Sequence, residues 1–248
     1  MKKRYRFDIL PILNHYRFCV RIRSITVKQE AGLAMIVAVV QTKGGVGKTT
    51  LTVNLAVERV IRGKRDVLLV DADEQGTASD FSALRTEKLG ETGYSAIQLH
   101  GNAVRNQVNS LKSKFDDVFI DTGGRDTQAL RAALTVADFA LVPFQPRSFD
   151  VWTLDKVASL IGEAKSFNEK LRAFAVINCA DASGPDNVAA AVSLTEHKDI
   201  AYLDSPIGRR KAFPNANAVG LSVLEGTPVD RKACDELKRL ADRLAKLV

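Results

Sequence analysis

The chain has 248 residues, of which 46% are hydrophobic and 26% are charged, and its 36 Lys and Arg against 29 Asp and Glu give a net charge of +7. This composition is typical of a globular protein large enough to bury a core without disulfide or metal staples. The three cysteines, Cys19, Cys179 and Cys234, lie far apart without a C-x-x-C pair, which excludes a cysteine-based zinc, iron–sulfur or redox site and indicates a reducing cytosol.

Most of the net charge belongs to a short basic leader. Residues 1–34 contain eight Lys and Arg against two Asp and Glu, whereas residues 35–248 carry only +1. The apolar run at 31–40 is well short of the ~20 residues that span a bilayer, and the leader lacks an uninterrupted signal-peptide core, so we expect neither export nor membrane insertion. We interpret the leader as disordered or as an extension from a start site upstream of Met35. A transit peptide and a nucleic-acid-binding arm are the alternatives.

From Met35 onwards, short apolar runs alternate with longer amphipathic segments, which predicts a parallel sheet covered by helices. Strands are predicted at residues 36–40, 67–70, 118–120, 139–142 and 174–177. Helices are predicted at residues 49–62, 102–114, 126–136, 150–167, 185–197 and 229–247. Since no repeat, low-complexity tract or linker interrupts the pattern, residues 35–248 are expected to form one α/β domain with a doubly wound, mostly parallel sheet.

Polar residues cluster directly after four of the predicted strands, at 42–50, 71–76, 121–126 and 178–181. In an open α/β sheet the ligand lies outside the carboxyl ends of the strands. The four clusters are therefore expected to converge on one site.

The first cluster is a glycine-rich turn between a strand and a helix. It matches the phosphate-binding pattern G-x-x-x-x-G-K-[ST], except that Thr42 replaces the leading glycine. Backbone N–H groups of the turn would surround phosphate oxygens, namely those of Gly44, Gly45, Val46 and Gly47. Lys48 would supply charge to the β- and γ-phosphates, Thr49 a hydroxyl to Mg²⁺, and Thr50 a bond to the α-phosphate. The sequence therefore predicts a P-loop nucleoside triphosphatase.

Magnesium on a triphosphate also needs carboxylates, and three aspartates follow apolar strands: Asp71, Asp73 and Asp121. Asp121 follows its apolar run as a Walker B carboxylate does, and would hold Mg²⁺ through its waters. Each aspartate alone could instead cap a turn or a helix. Because all three end apolar strands in one P-loop protein, we predict a magnesium site formed by Thr49, Asp71 and Asp121.

Lys43, directly before the glycines, indicates which kind of P-loop protein this is. The segment K-G-G-x-G-K-T-T resembles the deviant Walker A motif of the ParA/MinD family of P-loop ATPases, and D-A-D-E-Q-G at 71–76 resembles that family's D-x-D-x-Q-G segment. The likeness spans nearly all of residues 35–248 and continues at 121–124, 142–143, 209–213, Gly220 and Glu225. Within the family, the chain is most similar to short ParA-type plasmid and chromosome partition ATPases without an N-terminal helix-turn-helix domain.

The resemblance implies a slow, partner-stimulated ATPase that uses ATP and Mg²⁺ and forms a homodimer with ATP. Lys43 would reach phosphates held by the second subunit, and Asp73 would orient the attacking water. Asp71 and Asp121 would support the metal. The implied partners are DNA, bound without sequence preference, and a ParB-type centromere-binding protein. The implied location is the cytoplasm, in association with the nucleoid.

Three positions qualify what the resemblance implies. Glu74 and Gly123 each stand where the family usually has proline. Loss of these prolines changes the stiffness of the two loops. The implied hydrolysis rate and response to a partner depend on that stiffness. The segment N-C-A-D at 178–181 differs from the guanine-reading N-K-x-D motif by lacking the lysine, and the resemblance favours adenine. Asn178 is predicted either to contact the base or to cap a turn.

DNA binding would need a local basic patch, because residues 35–248 are nearly neutral. The candidate residues are Arg209, Arg210, Lys211, Arg231 and Lys232, with a solvated charged face as the alternative. The alternative function is a MinD-like membrane-cycling ATPase that regulates division or positioning. Its basis is an apolar stripe in the last predicted helix, which could lie on acidic lipid. The same stripe suits packing against the sheet, so membrane contact is not expected.

Overall fold

The computed structural model describes residues 35–146 and 151–248. The expectations for the leader at 1–34, which includes Cys19, and for a helix start at 150 lie outside these ranges. The described residues belong to one compact unit, as expected for a single domain.

The core of the unit is one seven-stranded sheet in the order β3-β2-β4-β1-β5-β6-β7, and every pairing between described strands is parallel. The strands are β1 (Met35–Val39), β2 (Val67–Ala72), β3 (Ser95–Gln98), β4 (Asp117–Thr122), β5 (Phe139–Phe144), β6 (Arg172–Ile177) and β7 (Ala201–Tyr202). The central strand β1, M-I-V-A-V, is buried throughout, because helices cover both faces of a parallel sheet. The chain builds outwards from β1 to both edges, which confirms the doubly wound fold.

Eight α-helices lie within the described residues, together with a short 3₁₀ turn at Lys112–Lys114. The helices are α1 (Lys48–Ile61), α2 (Thr77–Leu89), α3 (Ala103–Leu111), α4 (Gln128–Leu134), α5 (Val151–Lys165), α6 (Pro185–Glu196), α7 (Ala212–Asn217) and α8 (Arg231–Ala245). Apolar side chains of α1, α2, α7 and α8 form one core cluster with one face of the sheet. Those of α3, α4, α5 and α6 form the second cluster with the other face.

Four elements were not predicted from the sequence: β3, β7, α2 and α7. Strand β3 is short and largely exposed, so it lacks the apolar run that marked the other strands. Strand β7 has two residues and α7 has six, and Pro214 lies inside α7. The missed elements are therefore short or weakly patterned, and α2 begins directly after the D-x-D segment.

The apolar stripe of α8 is buried in the core. Its side chains pack with strands and helices of one cluster, namely Ala233, Leu237, Leu240, Ala241 and Leu244. This confirms the packing interpretation of the C-terminal helix over the lipid-binding one. Within the described ranges, no helix combines the length and the apolar character that crossing a bilayer requires.

A buried carboxylate lies between α1 and α8. The Glu58 side chain is 1% exposed, one of its oxygens accepts a hydrogen bond from Arg62, and Oε2 has no hydrogen-bond partner among the described residues. Burial raises the pKa of Glu58 above its ordinary value of 4.5, and the nearby Asp242 raises it further, while Arg62 and Arg59 lower it. The folded chain therefore holds this proton more tightly than the unfolded chain.

Glu58→Gln is expected to raise the free energy of unfolding at pH 7 by about 1 kcal/mol, because it removes a buried charge with an unpaired oxygen. The pKa of Glu58 is higher in the folded chain than in the unfolded chain. The wild-type carboxyl therefore stabilises the folded state fully at a pH below its unfolded pKa. This stabilisation is lost as the pH rises through the folded pKa. The gain from glutamine should therefore disappear near pH 4. Urea unfolding between pH 4 and 8 tests this, with the exposed Glu87→Gln as control. Equal effects of the two variants at pH 7 would contradict it.

Candidate functional site

The glycine-rich turn follows β1 and leads into α1. Gly45 and Gly47 have φ angles of 74° and 89°, in the left-handed region that favours glycine. A Cβ atom on Gly47 would lie 2.3 Å from Nδ2 of Asn178, so a larger residue has no room there. The left-handed backbone and the close contact with Asn178 explain why glycines occupy these two positions of the turn.

Asn178 supports this turn from the end of β6. Its side chain is buried, and its Nδ2 donates a hydrogen bond to the carbonyl of Val46 at 2.7 Å. The structure thus places Asn178 against the turn as a brace. The predicted contact with a base stays a prediction.

Lys48 lies at the first position of α1 with its side chain inside the turn. It is 7% exposed, and its Nζ lies 3.4 Å from the carbonyl oxygen of Lys43. Burial lowers the pKa of the Lys48 ammonium, while the carboxylates of Asp121 and Asp73 raise it. A buried, incompletely compensated cation at a turn of backbone N–H groups is suited to anion binding.

Asp121 ends β4 directly beside α1. Its side chain is fully buried, and it accepts hydrogen bonds from the hydroxyls of Thr49 at 2.6 Å and Thr52 at 3.1 Å. Burial raises the pKa of Asp121 to about 7, against the opposing effect of the Thr49 hydrogen bond. A nearby cation would stabilise the charged form of this carboxylate. Thr49 and Asp121 are therefore brought together as the sequence predicted.

Asp71 ends β2 and pairs in register with Asp121. Its Oδ2 accepts hydrogen bonds from the backbone N–H of Ser79 at 2.8 Å and from the Ser79 hydroxyl at 2.7 Å, and its Oδ1 accepts one from the N–H of Asp73 at 3.2 Å. Asp71 therefore ties the loop that carries Asp73 to the first turn of α2. Its role in supporting a metal stays a prediction.

Asp73 faces the loop after β4. A Cβ atom on Gly123 would lie 3.2 Å from Oδ1 of Asp73, and one on Gly124 would lie 2.9 Å from Cα of Gly44. The glycine pair therefore lets the loop after β4 pack directly against both Asp73 and the phosphate-loop turn. A proline at 123, as in the family pattern, would crowd the Asp73 carboxylate.

Residues of the glycine-rich turn, of the loop after β2 and of the loop after β4 line a cleft of about 1260 Å³ at the carboxyl ends of the strands. The fourth predicted cluster, at 178–181, does not line this cleft, and its Ala180 and Asp181 line a different cavity. The lining includes seven residues for which the sequence predicted a role: Gly44, Gly45, Gly47, Lys48, Thr49, Thr50 and Asp73. It also includes residues that the sequence did not indicate, among them His100, Gly101, Asn102, Arg125 and Gln128. His100 follows β3, whose short exposed sequence gave no signal, and Arg125 belongs to a polar cluster in which only Asp121 was assigned a role.

Magnesium fits the donor set of this cleft. Within the described residues, no group of three or more His, Cys, Asp or Glu side chains is placed to hold a metal by itself. Magnesium is typically bound by one or two carboxylates together with substrate phosphates and water. The Thr49 hydroxyl and the buried Asp121 carboxylate provide such a partial set next to the turn.

Asn54 connects the phosphate-loop helix to the segment after α7. It is fully buried, and its Nδ2 donates to the carbonyl of Thr50 at 2.7 Å and to Oδ1 of Asn217 at 3.0 Å. Its Oδ1 accepts from the hydroxyl of Ser222 at 2.9 Å and from the N–H of Val223 at 2.8 Å. We call these five residues the Asn54 network.

The Asn54 network continues to α2 through an ion pair. The N–H of Ser222 donates to Glu225, whose two oxygens accept hydrogen bonds from Arg85 at 2.7 and 2.8 Å. Arg85 is 4% exposed and also donates to the carbonyls of Thr92 and Gly220. Glu225 and Gly220, noted in the sequence only as part of the likeness, thus hold α2 in place.

The basic residues predicted to bind DNA differ in their contacts within the fold. Arg210 folds back onto Glu236 of α8 with hydrogen bonds of 2.5 and 2.9 Å, and Arg209 lies 3.8 Å from Asp181. Four of the five candidates are exposed, namely Arg209, Lys211, Arg231 and Lys232. Arg210 therefore serves a contact within the fold.

Comparison with known proteins identifies a nucleotide-binding domain over most of the chain. Residues 37–223 match the family model described as the CobQ/CobB/MinD/ParA nucleotide binding domain. Maintenance of carboxysome distribution protein A from Halothiobacillus neapolitanus is 28% identical over 215 residues, which cover 85% of this chain and 96% of that protein. The likeness therefore extends over nearly the whole relative.

Solved structures share the fold. A plasmid partition protein from Borrelia burgdorferi aligns with a TM-score of 0.65 at 17% identity, over 87% of this chain and 100% of its own. Cobyrinic acid a,c-diamide synthase from Mycobacterium smegmatis, with a bound ATP analog and magnesium, aligns with a TM-score of 0.69 at 19% identity, over 85% of this chain and 93% of its own.

Proposed function

The chain belongs to the CobQ/CobB/MinD/ParA family of nucleotide-binding domains, and within that family we propose that it is an ATP-dependent DNA partition ATPase. It is a ParA/MinD-type ATPase of the group with partition or positioning roles. Two relatives support this role by name, since one maintains carboxysome distribution and the other is a plasmid partition protein. The cargo would be a plasmid, a chromosome or a protein cluster.

The reaction is hydrolysis of ATP to ADP and phosphate in the cleft. Lys48 and the backbone N–H groups of the turn bind the β- and γ-phosphates. Asp73 holds the attacking water, and Asp71 fixes Asp73 through the hydrogen bond to its N–H. Magnesium, bound by Thr49 and Asp121, would neutralise charge on the phosphates.

One observation carries the assignment of an ATP site: Lys48 and Asp73 line one cleft, and Thr49, which lines the same cleft, donates a hydrogen bond to the buried Asp121. The two carboxylates both raise the pKa of the Lys48 ammonium. Perturbed titratable groups that converge in a cleft are typical of functional sites.

The proposed cycle has four further parts. ATP forms a homodimer in which Lys43 reaches the phosphates of the opposing subunit. The dimer binds DNA without sequence preference, which places the protein on the nucleoid in the cytoplasm. A ParB-type centromere-binding protein stimulates hydrolysis, which releases the DNA. Adenine is read at the end of β6, near Asn178.

DNA retention with ATP, with ADP and without nucleotide tests this proposal. Retention is expected with ATP alone, and it should be lost in Lys43→Ala, which keeps nucleotide binding but loses the contact between subunits. Retention that is indifferent to nucleotide would contradict the DNA cycle. Sedimentation with acidic vesicles is the second arm, and ATP-dependent recovery of the protein with lipid but not with DNA would favour the membrane-cycling alternative.

The DNA surface would use exposed cations, with Lys211 and Arg209 as its first residues and with Arg231 and Lys232, at the start of α8, as further candidates. Lys211→Ala combined with Arg209→Ala is expected to reduce the slope of log affinity against log salt by about two units, one for each lost phosphate contact. ATP affinity should not change. The matched control is Lys114→Ala combined with Lys170→Ala, since both lysines are exposed elsewhere.

Arg210→Ala should behave differently from its neighbours. It removes the hydrogen bonds to Glu236 and is expected to lower the free energy of unfolding by about 1 kcal/mol, because the pair is only partly exposed. Its salt slope should match that of wild type. An unchanged slope in the Lys211 and Arg209 variant would remove this surface from consideration.

A further inference from the structure

Arg125 lines the proposed nucleotide cleft at a position that the sequence did not mark as functional. Its side chain is exposed, and no described residue accepts a hydrogen bond from it or forms an ion pair with it. Among the described residues that line the cleft, Lys48 and Arg125 are the two lysine or arginine residues, and Asp73 and Glu74 are the two acidic ones. A bound triphosphate brings more negative charge than Lys48 alone balances.

The carboxylate next to Arg125 in the chain is already engaged. Asp126 accepts two hydrogen bonds from Arg131, at 2.7 and 2.8 Å, and Arg131 also donates to Glu163 at 2.6 Å. Arg131 lowers the pKa of Asp126, chiefly through the hydrogen bond. The neighbouring Asp126 is therefore occupied by Arg131, and Arg125 lines the cleft.

The loop that carries Arg125 is fixed close to the phosphate-binding turn. A Cβ atom on Gly124 would lie 2.9 Å from Cα of Gly44 and 3.5 Å from Nζ of Lys48. Consecutive Cα atoms are about 3.8 Å apart, so Arg125 begins one residue beyond the neighbourhood of the Lys48 ammonium. A long side chain at this position can reach the phosphates that Lys48 binds.

We infer that Arg125 contacts the terminal phosphate of the nucleotide bound in its own cleft. The inference rests on the proposed function, since it assumes that the cleft binds ATP. A guanidinium presents a planar fork of donors that matches two phosphate oxygens, and charge-assisted bonds of this kind are stronger than neutral ones. Because ADP lacks the terminal phosphate, Arg125 contributes to the preference of the cleft for ATP over ADP.

Titration of the full chain with fluorescent ADP and with a fluorescent, non-hydrolysable ATP analogue, both with Mg²⁺, tests the inference. Arg125→Ala is expected to weaken the ATP analogue about tenfold, as the loss of one charged hydrogen-bonding group predicts. ADP affinity should change by less than about twofold. Arg125→Lys should restore part of the loss. Arg105→Ala, which removes an exposed arginine from α3 outside the cleft lining, is the matched control.

Four outcomes would overturn the inference. Equal losses for both nucleotides, or no loss for either, would show that Arg125 does not contact the terminal phosphate, while normal nucleotide binding by the wild type would leave the proposed function intact. A loss confined to protein concentrations at which the chain dimerises would assign the contact to the opposing subunit. Failure of the wild type to bind either nucleotide would remove the proposed function and this inference together. Thermal melting of each variant checks that it is folded.

Discussion

Lys48→Ala is expected to weaken ATP binding by at least about 100-fold, equivalent to about 2.7 kcal/mol, and to abolish ATP-dependent DNA retention. Lys48 is 7% exposed, and its ammonium lies in the turn against the carbonyl of Lys43. Alanine would remove the charge that faces the β- and γ-phosphates and leave the backbone of the turn in place.

The same variant should remain folded. Burial lowers the pKa of Lys48, which means that the charged ammonium gains little from its protein surroundings when no anion is bound. The free energy of unfolding without nucleotide is therefore expected to change by less than about 1 kcal/mol. Calorimetric titration with ATP and Mg²⁺ and urea unfolding measure the two quantities, with Lys114→Ala as control. Wild-type affinity in Lys48→Ala would contradict the placement of the phosphates.

Asn54→Ala is expected to lower the free energy of unfolding by about 3 kcal/mol. The amide of Asn54 makes four hydrogen bonds in a fully buried position, to Thr50, Asn217, Ser222 and Val223. Its removal leaves several buried donors and acceptors unpaired, and each unpaired group costs about 1–3 kcal/mol before the site relaxes. Urea unfolding measures the loss as a lower midpoint.

Asn54→Asp separates the two halves of the Asn54 network. Aspartate keeps the oxygen that accepts from Ser222 and Val223, and loses the donor to Thr50 and Asn217. Asn54→Asp should lower the free energy of unfolding by more than the exposed control Asn106→Ala does. The change for the control is expected to stay below about 0.5 kcal/mol. A cost below about 1 kcal/mol for Asn54→Ala would mean that water or neighbouring groups replace the lost bonds.

The sequence predicted the parts of the site that depend on local pattern. The turn at 42–50 combines glycines, a lysine and threonines within nine residues, and Asp71 and Asp121 each follow a buried apolar run. Their convergence follows from the rule that parallel strands deliver their carboxyl ends to one edge. The sheet was predictable as well, because short apolar runs alternate with longer amphipathic segments along the chain.

The parts that were missed depend on partners distant in the chain. Asn54 is one polar residue inside a helix, and its acceptors and donors lie 163 to 169 residues away, at Asn217, Ser222 and Val223. No local period marks such a residue. The cleft residues after β3 and β4 were missed for two reasons. Strand β3 is short and exposed. The glycines at 123 and 124 are needed because the loop packs closely against Asp73 and Gly44, which the local sequence does not show.

The brace between Asn178 and the phosphate-loop turn bears on the synthesis of the protein. The two residues that form this hydrogen bond, Val46 and Asn178, are 132 positions apart. A nascent chain emerges from the ribosome in sequence order, so the turn is made long before its support exists. Nucleotide should therefore fail to bind a growing chain until β6 has emerged and joined the sheet. Binding of nucleotide then stabilises the completed domain as a whole, because it favours only the state in which the distant parts have met.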